Sequence, residues 1–138
     1  MICGVSTARA ETATQVTTTL QADSARPASA QWVRSELYFG LGKLGVKHAG
    51  VSDKEWQAFL DKEVTPRFPD GLTVFEAYGQ WRDAGQKSPQ RERSKVLIIL
   101  HENTPERRAA LDAIRSAWKI LTKEQYVLLV TQAVEVSF

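Results

Sequence analysis

Four side chains in this sequence could exchange protons if the fold brings them together, namely Glu36, Tyr38, Tyr78 and His101. Carboxyl, phenol and imidazole groups can each serve as a general acid or base. Their spacing does not require such a group, because cross-strand Tyr–Glu pairs are also common on ordinary sheet surfaces. Two interpretations therefore stay open for these residues, a catalytic acid–base group and a hydrogen-bonded sheet surface.

Four further polar residues are candidates for holding a ligand, namely Arg34, Gln80, Arg67 and Arg82. Arg34 and Gln80 fall on predicted strands. Arg67 lies in the segment Pro-Arg-Phe-Pro-Asp-Gly, where it could bind an anion with the help of Arg82. The same segment is typical of a tight turn, since its prolines fix the backbone and its glycine is permissive.

Residue types that bind metals are scarce. Cys3 is the one cysteine, which rules out an internal disulfide and a site built from several thiolates. His48 and His101 are far apart and lack the helical spacing of a zinc site. The sequence contains no glycine-rich dinucleotide or phosphate motif and no nucleophile elbow. We expect neither a metal ion nor a cofactor.

The composition is that of an ordinary globular chain. Its 138 residues suffice for one domain with a single core. The formal net charge of +2 is too small to favour nucleic acid as a partner. No apolar run approaches the ~20 residues that cross a bilayer as a helix, so we predict no transmembrane segment.

Residues 1–30 differ from the rest, because they are rich in Ala, Thr and Ser and poor in large apolar residues. Such a segment cannot bury enough surface to offset its ordering entropy. We interpret it as a disordered tail or the remnant of an export signal, and residues 31–138 as a single domain. Ala8-Arg9-Ala10 has the form of a signal-peptidase site. We expect a periplasmic or secreted protein, or a cytoplasmic one if no upstream signal segment exists.

Hydrophobic periodicity predicts four strands and two helices after residue 30. The first strand alternates, with Val33, Leu37 and Phe39 on its buried side. The predicted elements are a strand at 32–40, a helix starting after Ser52 and ending near Thr65, strands at 72–82 and 95–101, a helix starting after Thr104, and a strand at 126–138. This order is that of a ferredoxin-like βαββαβ domain in the α+β class. Right-handed crossovers then place both helices on one face of a four-stranded antiparallel sheet.

Several stretches of the sequence resemble the family of domains of unknown function numbered 3574. The stretches are 32–40, 55–60, 64–74, 79–82, 92–96 and 134–138, and the segment Pro-Arg-Phe-Pro-Asp-Gly-Leu-Thr is the most specific of them. The resemblance covers about residues 32–138. It implies a bacterial protein and, because many members begin with a signal peptide or lipoprotein signal, it implies export. It implies no particular activity.

The face of the sheet opposite the helices is predicted to be open. By strand alternation we predict that it displays Arg34, Glu36, Tyr38, Glu76, Tyr78, Gln80, Lys95, Leu97, Ile99 and His101. An apolar centre with a polar rim usually marks an interaction site. We therefore expect a module that forms a homodimer, or binds a partner or small ligand, through this face. The alternative is a small cofactor-free enzyme, such as an isomerase or monooxygenase of the dimeric α+β barrel type, which rests on fold analogy alone.

Overall fold

The computed structural model describes residues 31–138. The interpretations of residues 1–30, including Cys3 and the stretch Ala8-Arg9-Ala10, lie outside the described residues. The elements are, in chain order, β1 (Trp32–Lys43), α1 (Asp53–Phe59) with a π-type turn (Leu60–Val64), β2 (Thr73–Trp81), β3 (Gln90–Glu102), α2 (Pro105–Thr122) and β4 (Leu128–Val134).

The four strands form one antiparallel sheet in the order β2-β3-β1-β4. Each half of the chain contributes a strand, a helix and a strand, and the two halves interleave so that β1 and β3 are central. This is the ferredoxin-like βαββαβ arrangement, and the fold predicted from the sequence is confirmed.

Local signals explain where the helices begin and end. Ser52 accepts a hydrogen bond from the backbone of Glu55, whose carboxylate bonds back to the Ser52 backbone, so the predicted capping box is present. The chain then widens into a π-type turn, in which the Thr65 amide donates to the Leu60 carbonyl five residues earlier. Thr104 caps α2, which ends where Lys123 adopts a left-handed conformation.

Both helices cover the same face of the sheet. The Phe39 ring on β1 lies 5.1 Å from Trp56 on α1 and 5.0 Å from Trp118 on α2, in edge-to-face geometry. Val33 and Leu37 are buried on this face with Phe39. The prediction that both helices lie on one side of the sheet, over these three side chains, is confirmed.

The predicted orientation of β3 is wrong. Leu37 is directly opposite Leu97, and Ser35 is opposite Ile99, so the side chains of Lys95, Leu97, Ile99 and His101 point toward the helices and are buried there. The sequence 95–101 is almost continuously apolar. Without alternation it gives no sign of which side faces the helices.

The predicted orientation of β2 is also wrong, because its register with β3 places the opposite set of side chains outward. Glu76 is opposite Lys95 and forms an ion pair with it on the helix side of the sheet. Because strand residues alternate, Tyr78 and Gln80 lie on this side as well. Register slips by one residue exchange the two faces of a strand completely.

Three strands differ in extent from those predicted, and the first of them, β1, continues to Lys43 instead of ending at Gly40. β3 begins at Gln90 instead of Lys95, since the charged residues at its start pair with β2 as regular strand. β4 is limited to Leu128–Val134. Within residues 31–138, no helix combines the length and the apolar character needed to span a bilayer.

Candidate functional site: the open face of the sheet

The face of the sheet away from the helices is rich in exposed apolar side chains. We call it the open face and define it by Arg34, Glu36, Tyr38, Thr73, Phe75, Val96, Ile98, Leu100, Leu128 and Val130, which share one side by strand register. Phe75 is 55% exposed, Leu100 46%, Leu128 59% and Val130 43%. Several such residues on one surface are typical of an interaction site.

A short polar row crosses the centre of the open face along β1. The Arg34 side chain donates to Glu36 at 2.7 Å, and the Tyr38 hydroxyl donates to the other carboxylate oxygen at 2.7 Å. Glu36 is opposite Ile98 on one side and Val130 on the other. The Glu36 carboxylate is thus hydrogen-bonded by two residues of its own strand and lies between apolar residues of the two neighbouring strands.

The hydrogen bonds in this row set the protonation states. The Tyr38 hydroxyl, followed by Arg34, holds the pKa of the Glu36 carboxyl below its usual range. The hydrogen bond to Glu36 raises the pKa of Tyr38. Near neutral pH Glu36 is therefore ionised and Tyr38 is protonated, an arrangement suited to binding a charged or hydrogen-bonding group.

His101 lies on the covered face and cannot join this row. One ring nitrogen, Nδ1, is 2.8 Å from the Glu102 carbonyl and must carry the proton, so Nε2 accepts from the Ser35 hydroxyl at 2.8 Å. Burial, with a smaller effect of the nearby Arg107 charge, lowers the pKa of His101. The pair of Ser35 and neutral His101 satisfies two buried polar groups within the core.

Tyr78 and Gln80 form a separate pair on the edge strand β2. The Tyr78 hydroxyl donates to the Gln80 side-chain oxygen at 2.8 Å, and Arg91 donates to the same oxygen at 3.1 Å. Of the four candidate acid–base residues, the structure therefore brings together only Glu36 and Tyr38. The predicted four-residue group is not assembled.

Arg67 and Arg82 are likewise separated. Arg67 donates to the Glu63 carbonyl at 2.6 Å and to the Glu63 carboxylate at 3.0 Å. It precedes β2, whereas Arg82 follows the far end of that nine-residue strand. The prediction that these two arginines lie near each other is wrong, because β2 is extended along its whole length.

Glu92 is a feature of the open face that the sequence analysis missed. Its carboxylate lies over Gly40 on β1, where an added β-carbon would come within 2.7 Å of both carboxylate oxygens, and its Cγ is 3.2 Å from the same position at Gly79 on β2. Burial, together with the charge of Glu124, raises the pKa of Glu92. The sequence signal was available: two glycines in predicted strands mark a close approach by another group.

Metal ligands do not converge in the part of the chain that the structure describes. Within residues 31–138, no three His, Cys, Asp or Glu side chains are close enough to hold an ion. The expectation of no metal and no cofactor stays a prediction.

The profile of a family described as a protein of unknown function, DUF3574, matches residues 34–138. The chain belongs to this family. The match covers nearly all of the described domain, so the resemblance inferred from the segments listed above is confirmed. No protein among those of curated function matches the chain significantly in sequence.

Several solved structures share the fold at low sequence identity. A phage SAM lyase in complex with S-methyl-5'-thioadenosine superposes with a TM-score of 0.58 at 12% identity, over 79% of this chain and 86% of the lyase. CutA1 from Oryza sativa superposes with a TM-score of 0.51 at 9% identity, over 80% of this chain and 85% of CutA1. At these identities the likeness concerns the fold alone.

Proposed function

We propose that this domain is a non-enzymatic module that associates with a second copy of itself through the open face. The observation that carries the proposal is the exposure of Phe75, Leu100, Leu128 and Val130 on one surface. Exposed apolar side chains scattered singly are normal, but several on one face, on either side of the polar row of β1, favour burial against a partner.

The dimensions of the sheet fit such a contact. Four strands about 4.8 Å apart and about seven residues long give a surface of roughly 19 by 24 Å. Two such surfaces together contribute about 900 Å² of flat area, and side-chain relief increases the accessible area further. Specific interfaces bury about 1,000 Å² or more, so one face-to-face contact reaches the required size.

The charges on the open face favour a second copy over an unrelated partner. Arg34 and Glu36 are neighbours of opposite charge on the central strand β1. In a twofold contact the same patch meets itself in reverse, so Arg34 of one copy can approach Glu36 of the other. A surface with one sign of charge would instead repel its own copy.

The proposal is tested by the mass of the full-length protein in solution, measured by sedimentation over a range of concentrations. We expect a dimer that Val130→Glu converts to monomer, because the new carboxylate would be buried at the contact. The matched control is Ile120→Glu, at an 81% exposed residue on α2, which should leave the dimer intact.

A charge exchange tests the orientation of the contact. Arg34→Glu should weaken the dimer by placing like charges opposite each other, and the double variant Arg34→Glu/Glu36→Arg should restore it. A wild-type protein that stays monomeric throughout, or a dimer broken by Ile120→Glu but not by Val130→Glu, would refute the proposal.

The enzyme alternative has less support from the geometry. Of its acid–base candidates, only Glu36 and Tyr38 lie on the open face, and their pKa values are shifted away from neutrality in opposite directions. Proton transfer near neutral pH favours groups whose pKa lies near the working pH. Binding through the open face therefore agrees better with the positions and pKa shifts of Glu36 and Tyr38 than proton transfer does.

Action outside the cytoplasm is part of the proposal, and its support is the family resemblance given above. The test is cell fractionation of the native host with detection of the untagged protein. Recovery with a periplasmic or secreted marker is the expected result, and recovery with a cytoplasmic marker would overturn this part.

A further inference from the structure

A groove at one end of the sheet combines an apolar wall with a pair of opposite charges. It consists of two adjoining cavities of about 500 Å³ and 220 Å³, which share Trp32, Asp70, Gly71 and Leu100 in their linings. The turn formed by Pro-Arg-Phe-Pro-Asp-Gly closes one side. The groove therefore involves the most specific segment of the sequence, which the open face does not use.

The outer part of the groove is suited to an apolar group. Trp32 at the start of β1 packs edge-to-face against Phe138, with ring centroids 6.0 Å apart. Leu72 and Leu100 line the same cavity. Large apolar walls with a few polar groups are the usual composition of a small-molecule site.

The inner part is lined by Arg107 and by two acidic residues, Asp70 and Glu102, and Arg107 and Asp70 form the pair of opposite charge. Arg107 is anchored, since one nitrogen donates to the Arg67 carbonyl at 2.9 Å and its Cζ lies 5.3 Å from the centroid of the buried Phe68 ring. A second nitrogen is 3.7 Å from the Asp70 carboxylate, which is beyond hydrogen-bond distance. An exposed pair at this separation contributes little by itself, so both groups retain capacity for a ligand.

Between the two parts the backbone leaves room. Gly71 has φ +137, a conformation that favours glycine, and no atom lies within 4 Å of the position that a β-carbon would occupy there. A ligand can approach the backbone of the turn at this position without displacing a side chain.

We propose that this groove binds a free α-amino acid with a large apolar side chain. The α-carboxylate pairs with Arg107, the α-ammonium pairs with Asp70, and the side chain packs against Trp32. An α-amino acid carries its two charged groups on one carbon, so a single ligand can lie along the Arg107–Asp70 pair and complement both members.

The groove shares Thr73, Ile98 and Leu100 with the open face, whereas Leu128 and Val130 on β4 do not line it. Val130→Glu therefore tests self-association without altering a groove residue.

The test is titration of the full-length protein with L-phenylalanine, followed by NMR of the tryptophan side-chain N–H signals. Three related probes each lack one element: 3-phenylpropanoate has no ammonium, phenethylamine has no carboxylate, and glycine has no apolar side chain. We expect L-phenylalanine to bind at least about tenfold more tightly than each of them, since a hydrogen-bonded charge pair is worth about that factor or more.

Variants then assign the charges. Asp70→Asn should weaken binding of L-phenylalanine about tenfold while leaving binding of 3-phenylpropanoate unchanged. Arg107→Gln should also weaken binding of L-phenylalanine about tenfold, while leaving binding of phenethylamine unchanged. Arg107→Lys keeps the charge if the glutamine variant fails to fold, and Asp61→Asn, on the exposed surface near α1, is the control.

Equal binding of all four probes, or full binding by Asp70→Asn, would overturn the proposal. Val130→Glu should bind normally, which separates this result from that of the dimer test.

Discussion

The two faces of the sheet contrast in how they accommodate residues that do not match their surroundings. On the covered face, the polar side chains of Ser35, Lys95 and His101 are buried, and each has a partner. Lys95, for example, lies 3.3 Å from the Asp53 carboxylate and also pairs with Glu76. On the open face, large apolar side chains remain exposed to solvent.

The contrast between paired polar groups on one face and exposed apolar groups on the other indicates which face can bind another molecule. Buried polar groups are generally paired, and Ser35, Lys95 and His101 on the covered face find their partners within the domain. Exposed apolar area has no such internal partner and is stabilised by contact with another molecule. The polar residues of the covered face therefore contribute to stability, and the apolar residues of the open face are those on which the proposed self-association depends.

The largest expected effect comes from shortening a side chain on the covered face. Leu37→Ala should lower the free energy of unfolding by about 2–5 kcal/mol, because Leu37 is fully buried and its removal leaves a cavity. The measurement is denaturant unfolding. Val130→Ala on the open face is the comparison and should cost less than about 1 kcal/mol. Similar losses for both variants would remove the distinction between the two faces.

A second prediction concerns the pH dependence of the covered face. Burial lowers the pKa of His101 in the folded protein, so the unfolded chain binds a proton that the folded one does not. Its contribution to stability is complete above pH 6.5 and is lost as the pH falls from there through the folded pKa. The slope cannot exceed about 1.4 kcal/mol per pH unit for one group.

Unfolding at a series of pH values checks this slope. His101→Asn should flatten the dependence below pH 6.5, and His48→Asn, in an exposed loop, should not. The comparison uses slopes, so a uniform loss of stability in the His101 variant does not obscure it. An unchanged slope in that variant would show that other groups control how stability depends on pH below 6.5.

The smallest expected effect is on the open face, at Gly40. Gly40→Ala should cost about 1 kcal/mol, because the new methyl group collides with the flexible end of Glu92 and not with backbone. Displacing the carboxylate into water should also move the pKa of Glu92 down, toward its ordinary range, which carbon NMR can follow. In a double-mutant cycle, Glu92→Ala should remove most of the cost of Gly40→Ala. Additive losses would mean that the two residues do not interact.

The sequence predicted the order of elements because its local signals were strong. The capping box at Ser52 and the cap at Thr104 fixed the start of each helix. The alternation of Val33, Leu37 and Phe39 gave the correct buried side of β1. These signals depend on neighbouring residues, so a single sequence contains them.

The composition of the open face could not be predicted, because it depends on pairing between distant strands. The run at 96–100 is apolar on both sides, and only the register with β1 shows that Val96, Ile98 and Leu100 face outward. His101 is buried because Ser35 is there to bond with it, a partner 66 positions away. Arg91 and its neighbours are charged, which is typical of a loop, yet they pair with β2.

The contact of Glu92 with Gly40 and Gly79 also has a consequence for descent. A family member with a side chain at position 40 must shorten or move residue 92, and one with a side chain at position 79 must also make room beside Ser94, whose Oγ would be 2.9 Å from the new β-carbon. We therefore expect positions 40, 79, 92 and 94 to change together across the family, although they belong to three strands.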